Sequence, residues 1–369
     1  MNILALVESP DHVCCRYRIR AFAPALANAG HALRLESLPP SPVDRARQWL
    51  RARHADIVIL QRKLLAGWQL AMLRRAARHF VFDFDDAVVF RDSYDARGPH
   101  CPRRRHRFTA TMKAADAVLA GNAFLAQLAT DAGARPDRVA IVPTCVEPDR
   151  YPRHLPSDSE PSVHLTWIGS SSTLKGIEAE QALWDRLGQE IPGLRMRVIA
   201  DRFPRFENLP VDRVLWAEAT EAEALARGDI GLAWMPDDLW SRGKCGLKVL
   251  QYQAAGLPVV ANPVGVHPEM IQPGVHGYLP GTPAEWVESV RMLAADPGLR
   301  RRLGTAARAS VETRYSVAAW GERWVRFVTG RSGPASSAAA PRHTLKPIGK
   351  LAGQSLNGEP AVERTGAVR

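Results

Sequence analysis

Twice along its length the chain alternates short, continuously apolar runs with segments whose apolar residues recur at helical spacing. Continuous apolar runs of four to six residues suit parallel strands covered on both faces, and strands separated by helices suit a doubly wound parallel sheet. In the first series the strand candidates are residues 3–7, 32–35, 56–60, 80–84, 117–120 and 138–142. Helical spacing covers 17–29, which ends at Gly30, and recurs around 64–78 and 107–114. The stretch 151–162, YPRHLPSDSEPS, breaks the rhythm with three prolines and three serines and reads as a linker. A second series follows, with strand candidates at 163–168, 195–200, 213–216, 230–234 and 258–261. Its helical segments fall near 177–190, 221–226, 247–255, 283–294 and 297–313.

The expected organisation is therefore an α/β domain over 1–150, a linker over 151–162 and a second α/β domain over 163–314. A closing amphipathic helix follows over 315–329, and then a tail, 330–369, rich in Ser, Ala, Gly and Pro that reads as disordered. A length of 369 residues fits two such domains. Two similar α/β domains put a cleft between them, the usual place for a ligand.

Composition narrows the function by exclusion. Five cysteines without C-x-x-C spacing argue against zinc, redox and disulfide frameworks, and point to reduced thiols. No uninterrupted apolar run approaches the roughly 18 residues of a membrane span, and the start MNILALVESP lacks a basic signal-peptide region, so a cytoplasmic location is expected. The net charge of +11 is uneven: residues 1–150 carry 23 Lys/Arg and 15 Asp/Glu, 151–330 carry 20 and 21, and the last 39 carry 6 and 2. A basic half implies an anionic neighbour, either an anionic acceptor or a membrane surface. No nucleic-acid motif accompanies the charge, so nucleic acid is not expected as a partner.

The stretch most informative for chemistry is 241–271, SRGKCGLKVLQYQAAGLPVVANPVGVHPEMI. Gly243 and Gly246 precede a helical segment, and Lys244 and Lys248 flank its start. Free N–H groups and the positive end of the helix dipole form an anion site, and two lysines add point charge suited to a diphosphate. Read without further context, the same pair could be surface lysines on an ordinary strand–helix joint.

The run GLKVLQYQAAGLPVVANPVGVHPEMI resembles the donor-nucleotide signature of group 1 glycosyltransferases, the retaining family 4 enzymes. Leu247-Lys248, Tyr252, Ala254-Ala255-Gly256 and Pro258-Val259-Val260 match it, followed by Val264-Gly265 and Glu269. CRYRIRAFAPALANAGH, ILQRKLL, FVFDFDDAVVF, VLAGNAFLAQLA, VPTCVEPDRY and TWIGSSSTLKG agree in order, so the resemblance spans residues 1 to about 328. It implies two Rossmann-like domains facing a cleft, the GT-B type, and metal-independent sugar transfer from a nucleotide donor with retention.

Two departures stand out. The family usually carries glutamates eight residues apart across this helix start, where this chain has Gly243 and Gln251. Gln251 can still accept from a ribose hydroxyl through its carbonyl and donate through its amide. The family's G-R-x-x-x-x-K-G is here Gly169-Ser170 followed by Lys175-Gly176, which keeps the lysine and loses the arginine; Lys244 is the candidate to restore that charge.

Other candidates are less specific. GSSSTLKG lacks the G-K-[ST] ending of a phosphate-binding loop, and no G-x-G-x-x-G follows a strand. Asp83-Phe84-Asp85 has the D-x-D form used elsewhere to hold a metal, but a structural or acceptor-side role is expected for Asp85 and Asp86, because relatives often place an acid at a comparable strand end. Arg16, Arg18 and Arg20 follow the first strand and would face the cleft on the acceptor side, or else form a solvated helix start. The run Arg103 to Arg107 reads as a solvated loop, with a phosphate-bearing lipid or headgroup as the alternative. Trp240 is the best candidate for sugar stacking.

The expected function is transfer of a sugar from a nucleotide sugar to a glycan, lipid-linked or small-molecule hydroxyl in glycan, envelope or glycoconjugate synthesis. Donor binding falls to Gly169, Ser170, Lys175, Lys244, Gly246, Leu247, Lys248 and Gln251, and catalysis to Lys175, Lys248 and Asp86. No cofactor beyond the nucleotide-sugar co-substrate and no metal is expected. Location is cytoplasmic, with peripheral contact at the inner face of the membrane in view. The alternatives are a nucleotide-sugar epimerase-like enzyme and a catalytically degenerate nucleotide-binding scaffold.

Overall fold

The computed structural model describes residues 1–153 and 162–330. Most of the expected linker (154–161) and nearly all of the tail expected to be disordered (331–369) lie outside the described residues.

The first series folds as β1 (Asn2–Val7), α1 (Val13–Arg18), α2 (Ala23–Asn28), β2 (Ala32–Ser37), α3 (Pro42–Ala52), β3 (Ile57–Gln61), α4 (Gly67–Ala76), β4 (His79–Phe84), α5 (Pro102–Ala114), β5 (Ala117–Ala120), α6 (Ala123–Asp131) and β6 (Val139–Ile141). The second comprises β7 (Val163–Ile168), α7 (Ser171–Ala179), α8 (Gln181–Glu190), β8 (Leu194–Ala200), β9 (Val211–Leu215), α9 (Glu221–Ala226), β10 (Ile230–Ala233), α10 (Leu247–Ala254), β11 (Val259–Ala261), α11 (His267–Met270), β12 (Gly277–Tyr278), α12 (Pro283–Ala295), α13 (Pro297–Arg314) and α14 (Val317–Thr329).

Each series forms one six-stranded sheet, ordered β2-β1-β3-β4-β5-β6 and β12-β11-β10-β7-β8-β9, with parallel pairing throughout. The central strands are buried on both faces, as their continuous hydrophobicity requires, with Ile57 to Gln61 buried at every position, whereas the edge strands β2 and β9 are partly exposed. In each sheet the strand order reverses beside the first strand, and the carboxyl ends at such a reversal open a crevice suited to ligands.

Several features depart from the sequence reading, which has no counterpart for α6, α11 or β12. The helix expected over 17–29 begins at Val13 and is interrupted by a tighter turn at Arg20–Phe22. Helix α3 has no counterpart in the reading, because its buried residues are only Gln48, Trp49 and Ala52 and its other face is arginine-rich. The basic run Arg103 to Arg107 is helix and not loop: α5 starts at Pro102, where proline is well placed in a first turn.

Helix α14 returns to the first sheet. Its Trp324 stacks on Phe22 of the first series, centroids 5.0 Å apart and planes 7° from parallel, inside the core that holds β1 and α2. Val146 pairs with this return segment through Val146 N–H to Tyr315 O (3.0 Å) and Val317 N–H to Val146 O (2.9 Å).

Candidate functional site

At the carboxyl end of β7 the chain turns through Gly169 and Ser170 into α7. A Cβ on Gly169 would lie 2.6 Å from the Trp167 ring and 2.7 Å from Thr173 Oγ1, so only glycine passes. Gly246 caps α10 with φ +67°, the left-handed region that favours glycine, and its missing side chain leaves the helix start without a side-chain cap. From the first turn of α10, Lys248 reaches 3.3 Å from Thr173 Oγ1 and 4.2 Å above the Trp167 ring. No carboxylate pairs with Lys248 among the described residues. Burial, then repulsion from Lys244, pulls its pKa down to about 7. The structure thus gathers Gly169, Ser170, Gly246, Leu247 and Lys248 where α7 meets α10, and adds Thr173, which the sequence reading missed. Lys175 is not in this group: it is exposed, with its ammonium 6.0 Å from the Tyr94 ring centre.

The loop before α10 belongs to the second series in sequence but packs into the first in space. Cys245 lies in the first-sheet core, its Sγ 3.3 Å from Asp85 O, and Leu239 and Trp240 pack against the same cluster. Asn122 caps α6 with its Oδ1 and spends its amide N–H groups on Arg242 O (3.2 Å) and Lys244 O (3.1 Å). A Cβ on Gly243 would sit 2.6 Å from the Ala87 nitrogen and 2.6 Å from Ala87 Cβ. A glutamate there has no room, which accounts for the missing carboxylate in steric terms. Lys244 meets Asp86 Oδ1 at 2.9 Å and lies 5.0 Å over Trp240. Burial opposes its charge, but Asp86 outweighs that and raises its pKa. Trp240 therefore stacks a lysine of its own chain.

Asp86 belongs to a tight cluster at the end of β4. Arg18, fully buried, pairs with Asp83 Oδ1 at 2.6 Å and also bonds Val142 O. Burial works against the Arg18 charge, and Asp83 more than offsets it. Gln61 Nε2 adds a bond to Asp83 Oδ2 at 3.2 Å. Arg62, held at φ +57°, pairs with Asp86, lies 3.5 Å from Asp85 Oδ1 and contacts the Cys14 thiol. Burial raises the Asp85 pKa, but Arg62 and Arg18 outweigh it and hold it low. Cys14, Asp85 and Asp86 lie close enough to share a metal ion, but Arg62 and Lys244 already balance those carboxylates.

The acceptor-side arginines are placed differently from the expectation. Arg18 is consumed inside the first sheet. Arg16 reaches across to Glu221 (2.7 Å) and Glu218 (2.9 Å), and Arg20 bridges Asp11 (3.0 Å) and Glu218 (2.8 Å). Burial and internal pairing leave the Arg16 and Arg18 guanidinium groups little room to meet an acceptor directly.

Gln251 lies buried one turn into α10, its Nε2 donating to Tyr17 Oη (3.2 Å) and Tyr151 Oη (3.4 Å). The two phenols are 2.9 Å apart, and Tyr17 donates to Glu221 Oε1 at 2.9 Å. Trp216 Nε1 donates to the other Glu221 oxygen at 3.0 Å. Proton supply fixes the polarity: Tyr17 serves the carboxylate, Tyr151 serves Tyr17, and both phenol oxygens accept from the amide. Burial, Tyr151 and Glu221 all raise the Tyr17 pKa, so the phenol stays protonated. Position 251 thus requires N–H groups on this side, which glutamine supplies and glutamate lacks. Glu221, Tyr17, Tyr151 and Arg62 were missed by the sequence reading because their partners lie far away along the chain.

Two Rossmann-like domains with parallel sheets, whose strand-end clusters meet at a glycine-led helix start, have the GT-B fold. The comparisons agree. The glycosyl transferase-like family matches residues 179–326, within the second half of the chain. Sucrose-phosphate synthase from Thermosynechococcus elongatus is similar over 90% of this chain and 100% of its own, at 15% identity and a TM-score of 0.68. Anabaena HepE in complex with UDP is similar over 89% and 100%, at 16% and 0.60. The lipopolysaccharide outer core galactosyltransferase WaaB is similar over 90% and 100%, at 16% and 0.60. In sequence, D-inositol 3-phosphate glycosyltransferase of Streptomyces bingchenggensis is 44% identical over 64 residues, which span 17% of this chain and 14% of that relative.

Proposed function

We propose that this chain transfers a sugar from a nucleoside-diphosphate donor to an acceptor hydroxyl, with retention at the anomeric carbon and without a metal. The observation that carries the reading is Lys248, a half-buried lysine at the start of α10 with a hydroxyl and a ring for company and no carboxylate among the described residues. Such a group gains most from a diphosphate, and the free N–H groups of α10 aim at the same place. As the anomeric C–O bond breaks, charge grows on the departing phosphate oxygen, and Lys248 stabilises it. Lys175 swings in from α7 to share that charge, and the amide oxygen of Gln251 accepts from a ribose hydroxyl. Asp86 supplies the carboxylate facing the donor sugar that position 243 cannot. Retention follows if the acceptor attacks from the side the diphosphate leaves, where a phosphate oxygen takes the hydroxyl proton. Metal independence is supported by Arg62 and Lys244, which already pair with the carboxylates of the one group among the described residues whose ligand atoms lie close enough to share a metal ion.

Similar structures hold UDP and UDP-glucose, so uridine donors come first in the test. A mass-spectrometric screen of nucleotide sugars, in excess EDTA, should show thermal protection and slow donor hydrolysis with one donor class. Protection without any turnover under any acceptor would favour the scaffold reading, for which the altered positions Gly243 and Gln251 speak. Interconversion of donors without an acceptor would favour an epimerase. The acceptor is a glycan, a lipid-linked sugar or a small molecule, and the working location is cytoplasmic with peripheral contact to an anionic membrane.

A further inference from the structure

The positive excess of the first 150 residues has one structural address. Helices α3, α4 and α5 together carry ten Arg or Lys and one acid, Asp44, whereas the rest of residues 1–150 carries 13 basic and 14 acidic residues. The three helices lie side by side on one face of the first sheet. Trp49 and Ala52, Leu70 and Leu73, and Phe108 and Met112 enter the same core, while α2 and α14 cover the opposite face.

The outer side of this layer is apolar as well as basic. Val43 is 61% exposed, Leu50 60% and Trp68 54%, and Met72 stands beside them on α4. Trp68 meets Trp49 edge-on at 6.3 Å, which sets it in the seam between α3 and α4. Exposed Arg51, Arg75 and Arg103 accompany these side chains. Large apolar side chains interspersed with arginines are what a helix lying in a bilayer interface presents, the apolar tips entering the acyl boundary and the guanidinium groups reaching phosphates. Tryptophan is favoured at that depth. Nucleic acid would meet the arginines but give Val43 and Leu50 no reward for desolvation.

The start of α5 adds a second strand of argument. Its first turn holds no acid and no side-chain cap, and the exposed Arg103 there stands against the sign that the helix dipole favours. External phosphate would relieve that conflict. Helices in such a sheet begin at the carboxyl ends of the strands, and Arg107 Nη1 bonds Leu64 O (3.3 Å) in the loop after β3, so the basic start of α5 lies on the edge on which the crevice opens, while Arg51 and Arg75 extend the basic face from the last turns of α3 and α4.

We propose that the α3–α4–α5 face is a docking surface for an anionic phospholipid bilayer, holding the crevice against the membrane plane. This deepens the proposed peripheral location and rests on it for its purpose, whereas vesicle binding is read independently of sugar transfer. The full chain should co-sediment with phosphatidylcholine vesicles containing about one-third phosphatidylglycerol, lose that binding without the anionic lipid, and bind more weakly as salt rises. The doubly substituted Leu50→Ser/Trp68→Ser chain and the triply substituted Arg51→Glu/Arg75→Glu/Arg103→Glu chain should each bind about tenfold more weakly or worse. Both should keep the parent's thermal midpoint and its protection by UDP. Unchanged vesicle binding in both variants would overturn the proposal and move the attraction to the basic C-terminal residues. A shift from dimer to monomer in the variants, with no vesicle binding by the parent, would overturn it in favour of a second copy. Loss of UDP protection in the parent would instead count against the proposed function and leave the vesicle result standing.

Discussion

Lys244 and Lys248 stand four residues apart at one helix start, yet they belong to opposite kinds of electrostatic region. Lys244 completes the closed cluster at the end of β4, where Arg18, Arg62 and Lys244 face Asp83, Asp85 and Asp86. Lys248 sits across the joint between α7 and α10, with Thr173 and Trp167 as its contacts. The first region is internally balanced and holds the two halves together; the second is left short of negative charge. Buried charge that finds partners becomes scaffold, and buried charge without them is poised for a ligand.

That contrast can be broken in several ways. The largest effect is expected in the balanced cluster: Asp83→Ala strands the fully buried Arg18 and should cost about 3–5 kcal/mol in denaturant unfolding. Loss of under 1 kcal/mol would show that water reaches Arg18 and that the cluster is not closed. Lys248→Ala should behave in the opposite way, keeping stability while lowering kcat/KM for the donor about 100- to 1,000-fold. A fall in stability without a change in donor kinetics would reverse the roles assigned to the two lysines.

Gln251→Glu, which introduces the family's usual residue, should weaken donor binding about tenfold. It removes the amide N–H groups that Tyr17 and Tyr151 accept and adds a negative charge near Glu221. Tighter binding would show that the tyrosine network adapts. The smallest effect is in pH. With the Lys248 pKa near 7 in the free chain, a bound diphosphate raises it, so binding favours the protonated form. Affinity for UDP-glucose should be level below pH 7 and fall several-fold between pH 7 and 8, with proton uptake measurable by calorimetry in buffers of different ionisation enthalpy. A flat profile would mean that Lys248 is already paired or fully hydrated.

Much of this was legible in the chain. Continuous apolar runs at regular spacing require parallel strands covered on both faces, and the glycine–lysine pattern before an apolar helix marks a candidate anion site. Gly246 and Lys248 lie at one helix start, so local spacing was enough to bring them together as candidates. Helix α3 escaped because periodicity reports apolar residues, and α3 buries few. The basic run of α5 looked like a loop because charge without apolar spacing hides a helix whose buried side begins only at Phe108.

What the sequence alone determined is two parallel α/β series and a candidate nucleotide-binding helix start, since both follow from short-range periodicity and turn chemistry. Only the tertiary structure decided which charges are free. Lys244 points to Asp86, Gln251 to two tyrosines and Gly243 to Ala87 because partners from the other half of the chain occupy the space around them. Pairing of that kind depends on distances across more than a hundred residues, which no local pattern encodes. The same holds for the positive charge: its sum is a property of composition, but its concentration on one outer helical layer is a property of the fold.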